Sequence, residues 1–389
     1  MTAPGSHGVR SLDGLTSLRF FAAAMVLVYH YWHSYLPGVA LPPGLDLGYS
    51  GVTFFFVLSG FILAYNYESA GAFPRAELRR YVVARGARIW PAYLLSIIVF
   101  LPFFAFDVVR WGATPERLAA AVATPLALQS WIPGAATVIN YPGWSISTEV
   151  FFYALFPLLV GPVFRRPGAT LFAALVFQLA VWIVQALIWR RWGGGALMAP
   201  AASAEVVADF IRYFPIGRVG EFVLGVALCA LWREGRGPSD RTLLLGAVGV
   251  AALCLVLSRG LLPEIALHGG GTAILWIPLI LFGATGTGGF LAHPALVFLG
   301  KASFALYLFH APVDYYARAV DKYLLHGLLA GHPGVFFAVA AMAALAVACL
   351  VHVAVEEPAR RLIMRRFDRR AATAPHELPA TGLAVPFRS

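Results

Sequence analysis

Apolar residues along this chain gather into runs of about 20, each long enough to cross a bilayer as a helix. Short connections containing arginine separate them. The pattern predicts spans near 15–35, 49–67, 89–106, 144–164, 169–189, 214–232, 242–258, 270–287, 295–317 and 334–355. The third is expected to be interrupted by Pro91 and Pro102, and the eighth is rich in glycine. A further apolar stretch, 118–132, is short enough to be re-entrant or interfacial. The expected fold class is therefore an all-α polytopic membrane protein with about ten transmembrane helices.

Composition agrees. Hydrophobic residues make up 60% of the chain and charged residues 12%, with a mean hydropathy of +0.75, whereas soluble globular chains are about 25% charged. The first apolar run is long enough to span and lacks a small-residue cleavage site, so it is expected to remain as a helix. Cys229, Cys254 and Cys349 all lie in apolar runs without metal-type spacing; they read as core residues, with neither a disulfide framework nor a metal site.

Charge orients the bundle. Arg10, then Arg75, Arg79, Arg80, Arg85 and Arg88, then Arg165 and Arg166, Arg233, Arg236 and Arg241, and Arg360 to Arg370 all fall on one side. The positive-inside rule makes that side cytoplasmic and puts both termini there. The net charge of +10 is spread over loop ends rather than over one basic face, so it implies attraction to anionic membrane lipids and no nucleic-acid partner. Three segments are expected: a cytoplasmic 1–14, a transmembrane domain 15–357, and a basic, disordered cytoplasmic tail 358–389. The expected location is the cell (inner or plasma) membrane, multi-pass.

The chemistry begins in the first span. Arg19 and His30 are eleven residues apart, three helical turns plus about 20°, hence on one face and about 16 Å apart. An ionisable group near mid-membrane is costly and marks a candidate site, although an imidazole bonded between packed helices, with Arg19 as an interfacial anchor, is the plainer reading. Arg85 and Arg88, three apart, suit a phosphate or pyrophosphate, or equally anchor the third span at the headgroups. Glu149 sits just inside the fourth run with Tyr153 one turn later; a carboxylate there needs a partner, and the imidazole of the first span is a suitable one. An interhelical salt bridge or polar cap would explain Glu149 as well. Ser59 in the second span, and Ser303, Tyr307 and His310 in the ninth, are candidate lining residues. Small residues at such places more often serve helix packing.

Taken together, these segments resemble the acyltransferase type-3 family of integral-membrane acyltransferases. The matching pieces are Arg19 with ten residues to His30, GVTFFFVLSGF, the Arg-x-x-Arg at Arg85 and Arg88, WSISTEVFFY around Glu149, LGKASFALYLFH and EEPARR, in the family's order from about residue 12 to 362. The resemblance implies about ten transmembrane helices. It also implies an acyl-CoA co-substrate, often acetyl-CoA with no resident cofactor, that acylates a hydroxyl of a carbohydrate or glycosylated acceptor. His30 would be catalytic, Arg19, Arg85 and Arg88 would bind the acyl donor, and Glu149 would lie in the site. Some members continue into an extra-cytoplasmic hydrolase-like domain. With about 30 residues after the last span, any such partner is expected to be a separate protein. LTSLRFF stands here where LDGLRGL is more frequent, which leaves the acceptor open.

A mechanism follows as an expectation. CoA phosphates sit at the arginines, the pantetheine arm reaches along the first helix, and His30 serves either as general base or as an acyl relay, with Glu149 orienting its ring. A proton-coupled small-molecule transporter is the alternative function, since buried His, Arg and Glu in about ten helices also describe a carrier.

Overall fold

The computed structural model describes residues 12–42, 44–67, 75–235, 243, 246, 248, 249, 263–285 and 289–373, without the side chains of 75, 76 and 370–373. Outside these residues lie most of the expected span 242–258, with Cys254, the arginines at 10, 236 and 241, and the tail beyond 373.

The long elements are helices α1 (Asp13–Tyr35), α2 (Gly51–Asn66), α3 (Arg75–Trp111), α5 (Trp144–Arg165), α6 (Pro167–Trp192), α8 (Val219–Arg233), α9 (Ala273–Thr285), α10 (Pro294–Tyr323), α11 (Pro333–Val351) and α12 (Glu357–Thr373). Shorter helices α4 (Pro115–Ala123) and α7 (Glu205–Tyr213) lie in connections. A two-residue hairpin, Gly195–Ala196 with Ala199–Pro200, is the one strand pairing among the described residues. Eight described helices are long and apolar enough to cross a membrane, and the protein is an all-α polytopic membrane protein. The first helix is not among the eight, although it has 23 residues. Arg19, His30 and His33 lower its apolarity, and it tolerates them because α2, α9, α10 and α11 surround it.

Close helix approach shapes the centre. A Cβ on Gly60 would sit 2.1 Å from the Phe222 carbonyl oxygen, and one on Gly225 would sit 1.9 Å from that of Val57. Glycine from each side thus lets α2 and α8 cross backbone to backbone, the small-residue contact that drives association where lipid offers no hydrophobic force. Gly300 plays the same part between α10 and α1, where a Cβ would lie 1.9 Å from the Thr16 carbonyl oxygen. α6, in contrast, is peripheral: Phe172, Leu175, Leu179, Ile183 and Leu187 are all more than half exposed, as lipid-facing residues are. Its polar stripe faces inward, with Gln178 donating to the Gly269 carbonyl at 2.9 Å, Trp182 to the same oxygen at 2.8 Å, and Gln185 to Ile211 at 3.0 Å.

Two expectations, for the third span and for the tail, are corrected. Pro91 and Pro102 do not break the third span: α3 runs through both for 37 residues, because packed neighbours in a bundle re-satisfy the backbone groups a proline frees. At about 1.5 Å per residue it is about 55 Å long, well beyond a hydrocarbon core. The stretch 118–132 forms the end of α4 and a turn-rich loop held by buried polar groups, Gln129 donating to Gly143 at 2.7 Å and Ser130 to Trp144 at 2.8 Å. The segment expected to be disordered from 358 is helical as far as 373. Glu357 pairs with Arg360 at 2.9 Å and Arg361 at 2.6 Å, Arg79 lies 5.4 Å from the Phe367 ring, and Arg80 approaches Asp368 at 3.9 Å.

Candidate active site

Ser303, Tyr307 and His310 recur at four and three residues, so one face of α10 carries all three toward α1. His310 is fully buried. Its Nδ1 is 2.6 Å from the Tyr307 carbonyl oxygen, which can only accept, so Nδ1 carries the proton and, in the neutral ring, Nε2 carries the lone pair. His30 Nδ1 lies 3.2 Å from that Nε2, the two rings 16° from parallel with centroids 5.1 Å apart. The backbone carbonyl sets the tautomer of His310, whose one Nε2 lone pair faces two donors, His30 Nδ1 and the Tyr141 hydroxyl; when His30 Nδ1 donates to it, His30 Nε2 is the basic atom of the pair. The Tyr141 hydroxyl shares the His310 Nε2 at 3.1 Å, and its ring meets that of His30 edge-on with centroids 5.0 Å apart. Tyr31 donates to the His310 carbonyl at 2.7 Å and ties α1 to α10 directly beneath the pair.

At the Arg19 end of α1 a cavity is lined by Arg19, Arg85, Arg88, Ser59, Glu149, Tyr153 and Tyr307 among apolar residues of α2. Arg19 Nε donates to Ser303 Oγ at 3.3 Å, and Ser303 in turn donates to Gly300 at 2.7 Å. Arg85 lies 5.7 Å from the Tyr153 ring and 5.9 Å from that of Tyr67, while its Nε is buried without a hydrogen-bond partner. Glu149 accepts a hydrogen bond from the Tyr153 hydroxyl, and Ser59 lies at 3.5 Å. Among the described residues no carboxylate pairs with any of the three guanidinium groups within 4 Å, although half-buried Glu149 lines the same cavity. We call this the arginine chamber.

Two cavities, of about 280 and 500 Å³, open on the other side of His30, and both are lined by Tyr29, His30 and Tyr141. Tyr49 and His268 stack at 4.0 Å in the first, beside Trp144 and Tyr213 at 4.9 Å. The second is walled by His33, Ser34, Asp314, Tyr315 and Arg318. Together they form an aromatic chamber. Val52 and Tyr307 line both the arginine chamber and its larger-walled neighbour, so a thin partition separates the two on the face of α1 that joins Arg19 to His30.

The sequence-predicted residues thus divide. Arg19, Arg85, Arg88, Ser59, Glu149 and Tyr153 meet in one chamber, and His30 and His310 meet beside the other, with Tyr307 touching both and Ser303 behind Arg19. The expected partnership of Glu149 with His30 is corrected: Glu149 bonds Tyr153 and faces the arginines, and His310 is the neighbour of His30. The reason is depth, since Glu149 stands a turn inside α5 on the arginine side. Tyr141 escaped the sequence reading. Asn140, in a left-handed conformation with φ 48°, aims it inward, and the Asn140 amide donates to Ser96 at 3.0 Å and Leu308 at 3.2 Å. An Asn-Tyr-Pro-Gly turn directly before a membrane helix was the available signal. Arg218 and Glu221, buried at 2.5 Å, were missed as well.

The helices define a multi-pass membrane protein with a buried polar site between them. The chain belongs to the acyltransferase type-3 family: the family profile described as an acyltransferase domain matches residues 12–353. Acyltransferase MdmB of Streptomyces mycarofaciens is 30% identical over 95% of this chain and 96% of its own length. A putative peptidoglycan O-acetyltransferase, YrhL of Bacillus subtilis, is 26% identical over 80% of this chain and 50% of its own. O-acetyltransferase OatA of Staphylococcus aureus is 24% identical over 82% of this chain and 53% of its own. The chain therefore spans about half the length of the last two. No solved structure matches the chain.

Proposed function

We propose that this membrane O-acyltransferase moves an acyl group, acetyl in the simplest case, from acyl-CoA to a hydroxyl of a carbohydrate or glycosylated acceptor, with His30 as general base. The observation that carries the reading is Arg19 at one end of α1, joined there by Arg85 and Arg88 of α3 with no ion pair to any of the three among the described residues, and the His30 imidazole about three turns further along the same helix, beside His310. The arginines suit the CoA phosphates, which take charge-assisted and often bidentate bonds from guanidinium groups. The buried Arg85 Nε gains the acceptor it lacks. The distance from Arg19 to His30, about 16 Å along the helix, matches the reach of an extended pantetheine arm, which passes the partition at Val52 and Tyr307. The arginine-rich loop ends support a cytoplasmic position for this chamber, the side on which acyl-CoA is made.

The acceptor hydroxyl enters from the aromatic chamber. As its oxygen bonds to the thioester carbonyl carbon, its proton passes to His30 Nε2. Collapse of the tetrahedral adduct breaks the C–S bond, and the imidazolium returns that proton to the departing thiolate, releasing an ester and CoA. Glu149 holds Tyr153 against the arginines and orients the donor rather than the base. Purified protein with radiolabelled acetyl-CoA and an acceptor extract should yield a labelled ester with no membrane gradient. A chain that moves solute but forms no labelled product is a carrier, and the reading then fails.

A further inference from the structure

Arginines line both chambers in equal number, and their partners differ. In the aromatic chamber each guanidinium is matched by a carboxylate: Arg212 with Asp209 at 2.6 Å, Arg218 with Glu221 at 2.5 and 2.8 Å, and Arg318 with Asp314 at 3.1 Å. Arg218 is saturated further by Thr53 at 3.2 Å and the His268 carbonyl at 2.8 Å. In the arginine chamber none is matched among the described residues.

We propose that the aromatic chamber is built for an uncharged acceptor: the unit that receives the acyl group carries hydroxyls but no carboxylate, phosphate or ammonium. This rests on the acyl-transfer reading above. An ion entering a low-dielectric cavity must recover its hydration energy from a counter-charge, and the two least exposed counter-charges here, Arg212 and Arg218, are already engaged by Asp209 and Glu221 at hydrogen-bond distance, while Arg318 stands 46% exposed at the mouth with Asp314. A neutral polyol loses far less on entry. The Asp209 carboxylate still has lone pairs for hydroxyls, and the rings of Tyr49, His268, Trp144 and Tyr213 can cover the C–H faces of a sugar ring. The same pairing explains why acyl-CoA cannot seat itself backwards: its phosphates find free guanidinium groups in one chamber alone.

The test uses the full chain in detergent with isotopically labelled acetyl-CoA and an extract of envelope and small metabolites, followed by tandem mass spectrometry of each labelled product. Acetyl on a unit without an ionisable group is the expected result. Acetyl on a unit bearing a carboxylate, phosphate or amine overturns the proposal while leaving acyl transfer intact. Absence of label from every product removes acyl transfer itself, and the proposal with it. A second arm compares inhibition of transfer by p-nitrophenyl glucoside and p-nitrophenyl glucuronide. Asp209→Asn and Asp314→Asn each free one guanidinium, and each should shift the ratio toward the glucuronide by about tenfold, as a charge-assisted bond would. An unchanged ratio in both variants overturns the proposal.

Discussion

The two chambers on either side of the Val52 and Tyr307 partition contain the same kinds of side chain in opposite electrical states. Arg19, Arg85 and Arg88 meet one carboxylate, and that carboxylate is bonded to Tyr153. Arg212, Arg218 and Arg318 each have a carboxylate of their own. Counting arginines would not tell a phosphate site from a neutral one, and neither would hydropathy. The lesson is that a buried guanidinium is informative through what it lacks: paired, it braces helices; unpaired, it waits for an anion.

The largest expected effect is at the junction. His30→Ala should lower turnover by about 100-fold or more, the contribution of a positioned general base, while the protein remains folded and membrane-inserted; near-normal turnover of labelled acetyl-CoA would remove the junction between the chambers. Arg88→Ala should come next, raising the KM for acetyl-CoA by about 10- to 100-fold with little change in acceptor KM, because a charge-assisted bond to phosphate is worth about 1.5–3 kcal/mol. If direct titration of acetyl-CoA finds unaltered affinity, the contrast between the chambers loses its meaning.

Smaller effects sharpen the same contrast. His310→Phe removes the acceptor of the His30 Nδ1 proton and should reduce kcat by about tenfold with KM for acetyl-CoA unchanged, whereas His310→Gln, which still offers an oxygen, should restore much of it. Equal losses in both variants would mean that His310 only fills space. The smallest effect is expected outside both chambers. Glu357→Gln breaks exposed pairs to Arg360 and Arg361 and should cost about 0–1 kcal/mol in thermal unfolding, with kinetics untouched.

Much of the bundle was legible from the chain because lipid imposes one rule: each span must satisfy its own backbone and present about 20 apolar residues. The starts of α5 at Trp144 and α10 at Pro294 and both bounds of α1 and α2 fall within two residues of the hydrophobic runs, whereas α10 continues six residues past its run to Tyr323. The prolines of α3 misled because a proline's cost depends on neighbours that local sequence does not reveal. The helical character of 357–373 was hidden for a related reason, since Arg79 and Arg80 of α3 hold Phe367 and Asp368 from far away in the chain.

The candidate site divides along the same line. Spacing within one helix set Arg19 and His30 on one face, Arg85 beside Arg88, and Tyr307 beside His310, because helical geometry is local and acts over three, four or eleven residues alike. Partnership was decided only by the tertiary structure. The pairing of His30 with His310 joins positions 280 residues apart, and that of Ser59 with Glu149 joins positions 90 apart. Whether a buried arginine is free or matched depends on where the nearest carboxylate's helix lies in depth, and no pattern along a single helix encodes that.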